Sequence, residues 1–311
     1  MSNSQTIQFH SEFCGDSFSC SAFFPFPLPT NGLYSPTMTE MYNTPWRKLA
    51  TAIYTAPTDG RIYGTMEFDV TDAQKYIQQQ REAGVRITMT HLVTAALGRV
   101  LAYDVPEMNC FVRRGKIIPR HTVDVTVSVI MKRGQEMSAV KVQDAHLKPV
   151  SVIGEEINRK AMEHRSGDES KAMQNKDLLG KIPWPFRRWA FRIIRWIVND
   201  LGFQLKFLGL SDNSFGSIML SNIGTHGLTT GMAALFPAGK LPAVMVMGHA
   251  EEKPVVRNGE IVIRTMLPLT GTFDHRIVDG GHTGKLARGI MRRMSRPSAL
   301  EQVLEETHVT G

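Results

Sequence analysis

The chain has 311 residues, 42% of them hydrophobic and 21% charged, with a net charge of +7. That balance buries a core for one large or two ordinary domains and excludes the fibrous, disordered and disulfide-framework classes. No apolar run of about 18 residues occurs and no basic start leads into an apolar stretch, so neither a spanning helix nor a leader is expected. Cys14, Cys20 and Cys110 form no metal-ligand spacing and no even framework, which points to a reducing, cytoplasmic setting without a bound metal. The basic residues are scattered and carry no finger, helix-turn-helix or aromatic RNA-binding signature, so no nucleic-acid partner is expected. Polyanionic small ligands or an anionic membrane surface account for the charge equally well.

Residues 1–43 mix Ser, Thr, Pro and Gly around an aromatic knot, "SAFFPFPLPTNG", and read as an extended arm. From residue 44 the periodic signals sharpen. "RIYGTMEFDVT" alternates as a strand does, and "DAQKYIQQQREAG" follows as a helix with Thr71 or Asp72 as its N-cap and Gly84 as its stop. A second helix, "THLVTAALGRVLAYD", sets Leu92, Ala96 and Val100 at helical spacing behind Thr90 as cap. Two β-rich runs, "VDVTVSVIMKRG" and "EMSAVKVQDA", precede a helix in "KPVSVIGEEINRKAMEHR".

A long connection, at about 168–212, then carries "PWPFRRWAFRIIRWIVNDLG". Proline opens but does not continue a helix, so this one is predicted to run from near Pro185 to about Leu201, before Gly202. Trp189, Ile193, Trp196 and Ile197 fall on one of its faces, and Arg188, Arg192 and Arg195 on another. Three uses suit such a basic amphipathic helix: packing on its own protein, contact with a membrane interface, or a lid over an acyl chain.

The strand "GSIMLSNIGTHG" and the apolar run "LPAVMVMGHA" lead to "GEIVIRTMLPLTG" and "TFDHRIVDGGH". Residues 261–275 read as a strand with Ile261, Ile263, Leu267, Leu269, Phe273 and His275 on one face and Asp274 and Arg276 turned the other way. A histidine on an apolar face is neutral and can accept a proton, which is what a general base requires. Asp279, Gly280 and Gly281 read as a turn that brings a carboxylate back toward it. A buried structural histidine is the competing reading. Metal ligation by His275, Asp279 and His282 is weaker still, because two glycines should break a helix that would align them. "TGKLARGIMRRMSRP" closes the chain as a helix. Strands and helices alternate with no regular βαβ period and no glycine-rich nucleotide loop, which gives an α+β class with a mixed sheet.

"FDHRIVDG", "SNIGTHG", "VPEMN" with "HTVDVTVSV", and "MEFDVT" before a helix occur in an order that resembles the catalytic core domain of dihydrolipoyl acyltransferases, the core components of 2-oxo acid dehydrogenase complexes. The resemblance covers roughly residues 44–305. It implies a chloramphenicol acetyltransferase-like fold, a mixed sheet sandwiched with helices and assembled as a trimer, or as a larger assembly of trimers. It also implies coenzyme A as a substrate and an acyl group moved to a thiol or hydroxyl. The family's general base falls on His275, and the hydroxyl that stabilises its oxyanion falls on Ser221. Asp279 falls on a site residue that fixes the loop through an ion pair with an early arginine, for which Arg47 in "PWRK" is the candidate. In the family these residues meet between adjacent subunits. No lipoyl-type domain or linker is evident in this sequence, so a stand-alone enzyme served by a separate lipoyl- or carrier-type acceptor protein is expected. Two alternatives remain. One is a non-catalytic oligomeric scaffold of the same fold; the other is a condensation-type enzyme, in which a second histidine would stand where this chain has Asp274.

Overall fold

The computed structural model of the protein describes residues 60–131, 136–165, 186, 193, 196–203, 213–235 and 239–304, all within one compact unit, Asp59–Gly311. The arm at 1–43 and Arg47 lie outside the described residues.

Nine strands and four long helices are described: β1 (Arg61–Asp69), α1 (Thr71–Glu82), α2 (Met89–Tyr103), β2 (Cys110–Arg113), β3 (Lys116–Pro119), β4 (Val125–Met131), β5 (Glu136–Val142), α3 (Val150–Arg165), β6 (Ile218–Asn222), β7 (Ala243–Met247), β8 (Glu251–Arg257), β9 (Glu260–Asp274) and α4 (Gly280–Met294). The main sheet has the order β1-β9-β7-β6-β4-β5, with β8 paired to the first half of β9. β4, β6 and β7 run parallel to one another and the remaining pairs are antiparallel, so the sheet is mixed as expected.

The period-2 alternation divides this sheet cleanly. Phe68 of β1, Leu267, Leu269 and Phe273 of β9, Met245 and Met247 of β7, Leu220 of β6 and Val127 of β4 share one core with the buried residues of the helices. The opposite face carries Tyr63, Thr65, Thr270, Thr272, Ser221, Thr126 and Ser128. The four long helices therefore cover one side, and a belt of hydroxyls lines the other. Gly271 is needed for the last step of β9: a Cβ there would strike the Phe273 ring, whose packing seats the strand end just before His275.

α2 lies at the centre of the helical layer, buried from His91 through Leu101. Within it the Arg99 guanidinium donates to the carbonyls of Ala299, Leu300 and Gln302, so the turn after α4 is tied to the core by charge-assisted bonds. His91 is 3% exposed, and its Nδ1 faces Gly154 of α3 without a hydrogen-bond partner. Burial lowers its pKa to about 4 from an ordinary 6.5. The sign follows directly: as pH falls below 6.5 the unfolded chain takes up this proton before the folded one, so stability drains away between pH 6.5 and about 4. The expected loss is about 3 kcal/mol. Urea unfolding midpoints across this window should fall steeply for the parent and less steeply for His91→Met; identical slopes would refute the assignment.

Several local expectations need correcting. α1 takes no side-chain cap from Thr71 or Asp72; instead Asp69, two residues earlier, accepts from the Thr71 backbone and hydroxyl. α2 is capped by Thr88, whose hydroxyl accepts from His91 N, so Thr90 lies inside the helix. Gly84 does stop α1, at φ +83°, a left-handed conformation that glycine adopts freely. Two tight hairpins also form. "RRGK" turns β2 into β3, with Arg114 and Gly115 both at positive φ, and "RNGE" turns β8 into β9, with Asn258 and Gly259 both at positive φ. That pair of torsions is the tight hairpin turn Asn-Gly favours.

Of the 184–201 segment, Phe186, Ile193 and Trp196–Leu201 are described. The last six form a widened helical turn that ends at Gly202, φ +79°, where the sequence placed the stop. Trp196 and Ile193 are exposed in the protomer while Val198 is buried. Trp189, Arg188, Arg192 and Arg195 lie outside the described residues. Among those described, no helix is long and apolar enough to cross a membrane.

Candidate active site

His275 departs from its expected surroundings. β9 ends at Asp274, and His275 begins the turn that follows, so the strand's parity no longer governs its side chain. The ring is exposed in the protomer rather than buried. Ile261 and Ile263, counted on the same apolar face, are 77% and 71% exposed, because that half of β9 pairs only with β8. Burial does not make this histidine a base.

Hydrogen bonding fixes its tautomer instead. His275 Nδ1 lies 2.9 Å from the Val278 carbonyl. A carbonyl only accepts, so Nδ1 carries the proton and the lone pair sits on Nε2, at the outer end of the ring. The turn that holds this geometry is itself pinned. Asp274, 8% exposed, accepts from Arg276 N, from Nε at 2.9 Å and from Nη2 at 2.5 Å. Asp274 N donates to Pro242 O, and His275 N to Gly60 O at 2.6 Å. Ile277 N and Val278 N both donate to Asp274 O. The two charged neighbours of His275 thus form the clamp that presents it.

Asp279 takes a position its sequence reading did not give it. It is the N-cap of α4, accepting from Gly281 N and His282 N, while its own N–H donates to His282 Nδ1. Gly280 and Gly281 do not break a helix; they begin one, at positions where backbone N–H groups have no intrahelical partner and a carboxylate supplies it. The bond from His282 N and the nearby charges hold the Asp279 carboxyl below its usual range. A pairing with Arg47 falls outside the described residues. Among the described residues no cluster of three His, Cys, Asp or Glu is gathered for a metal, so His275, Asp279 and His282 do not form a ligand set.

Ser221 is half-buried on the hydroxyl-bearing face of β6. The glycine that follows it in "SNIG" packs hard against the end of β7: a Cβ on Gly224 would lie 2.5 Å from the Gly248 carbonyl oxygen. Asn222 faces the helical side and donates from Nδ2 to Thr90 Oγ1 at 3.1 Å, while its buried Oδ1 has no hydrogen-bond partner. It lines a cleft of about 560 Å³ bounded by Gln74, Gln78, Met89, Thr225 and His249. This cleft sits at the carboxyl ends of the parallel strands, a common place for ligands in sheets with parallel strands.

The register decides whether these residues meet. Ser221 pairs with Val246, and Val246 with Thr270. His275 lies five residues beyond Thr270, so the two residues' backbones stand about 17 Å apart along the strands and about 10 Å across them, about 20 Å in all. One protomer does not bring its own His275 and Ser221 together.

Against known proteins, residues 204–301 match the model of the 2-oxoacid dehydrogenases acyltransferase catalytic domain. Over 247 residues, 76% of this chain, the sequence is 25% identical to the dihydrolipoyllysine-residue acetyltransferase component of the acetoin cleaving system of Bacillus subtilis. The chain spans half the length of that relative. Among solved structures, a probable dihydrolipoamide acetyltransferase from Listeria monocytogenes superposes with a TM-score of 0.57 at 18% identity, over 81% of this chain and 92% of its own. A truncated catalytic core of the 2-oxoacid dehydrogenase multienzyme complex from Thermoplasma acidophilum gives a TM-score of 0.51 at 18% identity, over 81% and 93%. At such identities the structural likeness speaks for the fold, and the family match speaks for the segment that holds Ser221, His275 and Asp279. Residues 204–301 are thus similar in sequence to the 2-oxoacid dehydrogenase acyltransferase catalytic domain, and the chain shares the α+β fold of these solved structures.

Proposed function

We propose that the protein transfers an acyl group between a coenzyme A thioester and a thiol or hydroxyl acceptor, at sites completed between adjacent copies of the chain in a trimer. The observation that carries this reading is the tautomer of His275. With Nδ1–H held by the Val278 carbonyl, Nε2 is an outward-facing base. It takes the proton of the acceptor as the acceptor's sulfur or oxygen attacks the thioester carbonyl. The carbonyl oxygen becomes an anion, and the Ser221 hydroxyl of the neighbouring copy donates to it. When the tetrahedral intermediate collapses, the C–S bond to coenzyme A breaks and the departing thiolate takes the proton back from the imidazolium. Proton transfer and oxyanion stabilisation thus fall to two residues that one protomer holds apart, which is why the site needs two copies.

Asp279 acts at one remove. As the N-cap of α4 it fixes the far end of the loop whose near end is clamped by Asp274 and Arg276, and so holds the Val278 carbonyl where His275 needs it. The acceptor in this reading is a lipoyl- or carrier-type thiol on a separate protein. Incubation with a panel of acyl-CoAs and free dihydrolipoamide, followed chromatographically, is expected to yield S-acyl dihydrolipoamide and free coenzyme A in equal amounts. Absence of acceptor-dependent coenzyme A release across the panel would overturn the proposal.

A further inference from the structure

A second hydroxyl meets Ser221 from the adjoining strand. β4 and β6 run parallel in the register Val125 to Ile218, Thr126 to Met219 and Val127 to Leu220. The next residue on each strand is a serine, and Ser128 Oγ lies 3.0 Å from Ser221 Oγ. Both are half-buried on the face opposite the helices. The other hydroxyl of β4 on this face, Thr126, already donates to the Phe215 carbonyl at 2.8 Å. Ser128 is the one placed to act on Ser221.

A serine hydroxyl has one proton to give and two lone pairs to receive with. Left alone it rotates among staggered positions, and an oxyanion donor that must first be oriented loses part of its effect in the transition state. We propose that Ser128 is a positioning residue for acyl transfer: it donates to Ser221 Oγ, so that the Ser221 proton is directed away from β4 and toward the oxygen that becomes negative. As charge develops, the two bonds in series polarise one another, which strengthens the donor when it is needed. Nothing is transferred to or from Ser128. The inference rests on the reading of Ser221 as the oxyanion donor.

The test is a cycle of Ser128→Ala, Ser221→Ala and the double variant, with Ser128→Thr alongside, assayed on the most active acyl-CoA with dihydrolipoamide. Ser221→Ala is expected to lower kcat about 100-fold. Ser128→Ala should lower kcat by about 3- to 10-fold, the worth of one neutral hydrogen bond, and leave KM unchanged. Ser128→Thr keeps the hydroxyl on a side chain suited to a strand and should restore kcat to within about 2-fold of the parent. In the Ser221→Ala background the Ser128→Ala change should cost nothing further, because the group it orients is gone. A full additional loss there, a change confined to KM, or failure of the threonine to rescue would each reduce Ser128 to a structural residue. Parent-like kcat in Ser221→Ala would instead sink the reading of Ser221, a different result from any of these.

Discussion

Replacing His275 with alanine is expected to lower kcat/KM for acyl transfer by about 10²- to 10⁴-fold, the usual contribution of a positioned base. Stability should be nearly untouched. The ring is exposed in the protomer and makes one hydrogen bond, to the Val278 carbonyl, which water can satisfy once the ring is gone. The clamp beneath it survives, since Asp274 is held by Arg276 and by Pro242 O, and the backbone bond to Gly60 O does not depend on the side chain. A variant with unchanged thermal unfolding and acyl transfer reduced by two orders of magnitude or more therefore separates chemistry from architecture. His275→Gln should be as inactive as the alanine, because a carboxamide fills the space without a basic nitrogen. Turnover near the parent level in either variant would place the chemistry elsewhere.

Much of this was legible in the sequence, and where it failed the reason is physical. Alternation identified the buried half of β9, Leu267 to Phe273, because from Leu269 to Phe273 each residue has a neighbour on both sides, β1 on one and β7 on the other. It failed for Ile261 and Ile263, which repeat the same pattern in a hairpin that leaves their face uncovered in the protomer. Period alone reports which side chains share a face, and never what covers it. His275 was identified for a reason that the structure replaces. In the proposed role its free Nε2 follows from one carbonyl three residues away, and no burial is involved. The Asp-Gly-Gly run was read as a turn when the aspartate is a cap, an ambiguity built into residues that serve both purposes. The signal that could have resolved it was His282, three residues after Asp279, whose ring accepts from the cap's own N–H in the manner of a capping box. The pairing of Ser128 with Ser221 was beyond reach: the two lie 93 residues apart, on strands made neighbours only by a parallel crossover.

The separation of about 20 Å between His275 and Ser221 leads to the most demanding prediction. Two inactive variants, His275→Ala and Ser221→Ala, should restore activity to each other when unfolded together and reassembled. In the proposed closed ring of identical subunits each junction would take its histidine from one chain and its serine from the next. With equal amounts mixed at random, half the junctions draw an intact histidine, and half of those meet an intact serine, so about one quarter of the parent activity should appear. The fraction is the same for any ring size. Each variant reassembled alone should stay at its own low level, and mixing without prior dissociation should give nothing until subunits exchange. If the two residues acted within one chain, every chain in the mixture would lack one of them, and no proportion could bring activity back. Recovery near one quarter would therefore establish at once that both residues belong to a single site and that the site lies between two copies of the chain. A mixture no more active than the sum of its parts would refute the shared site, even if both single substitutions abolish transfer.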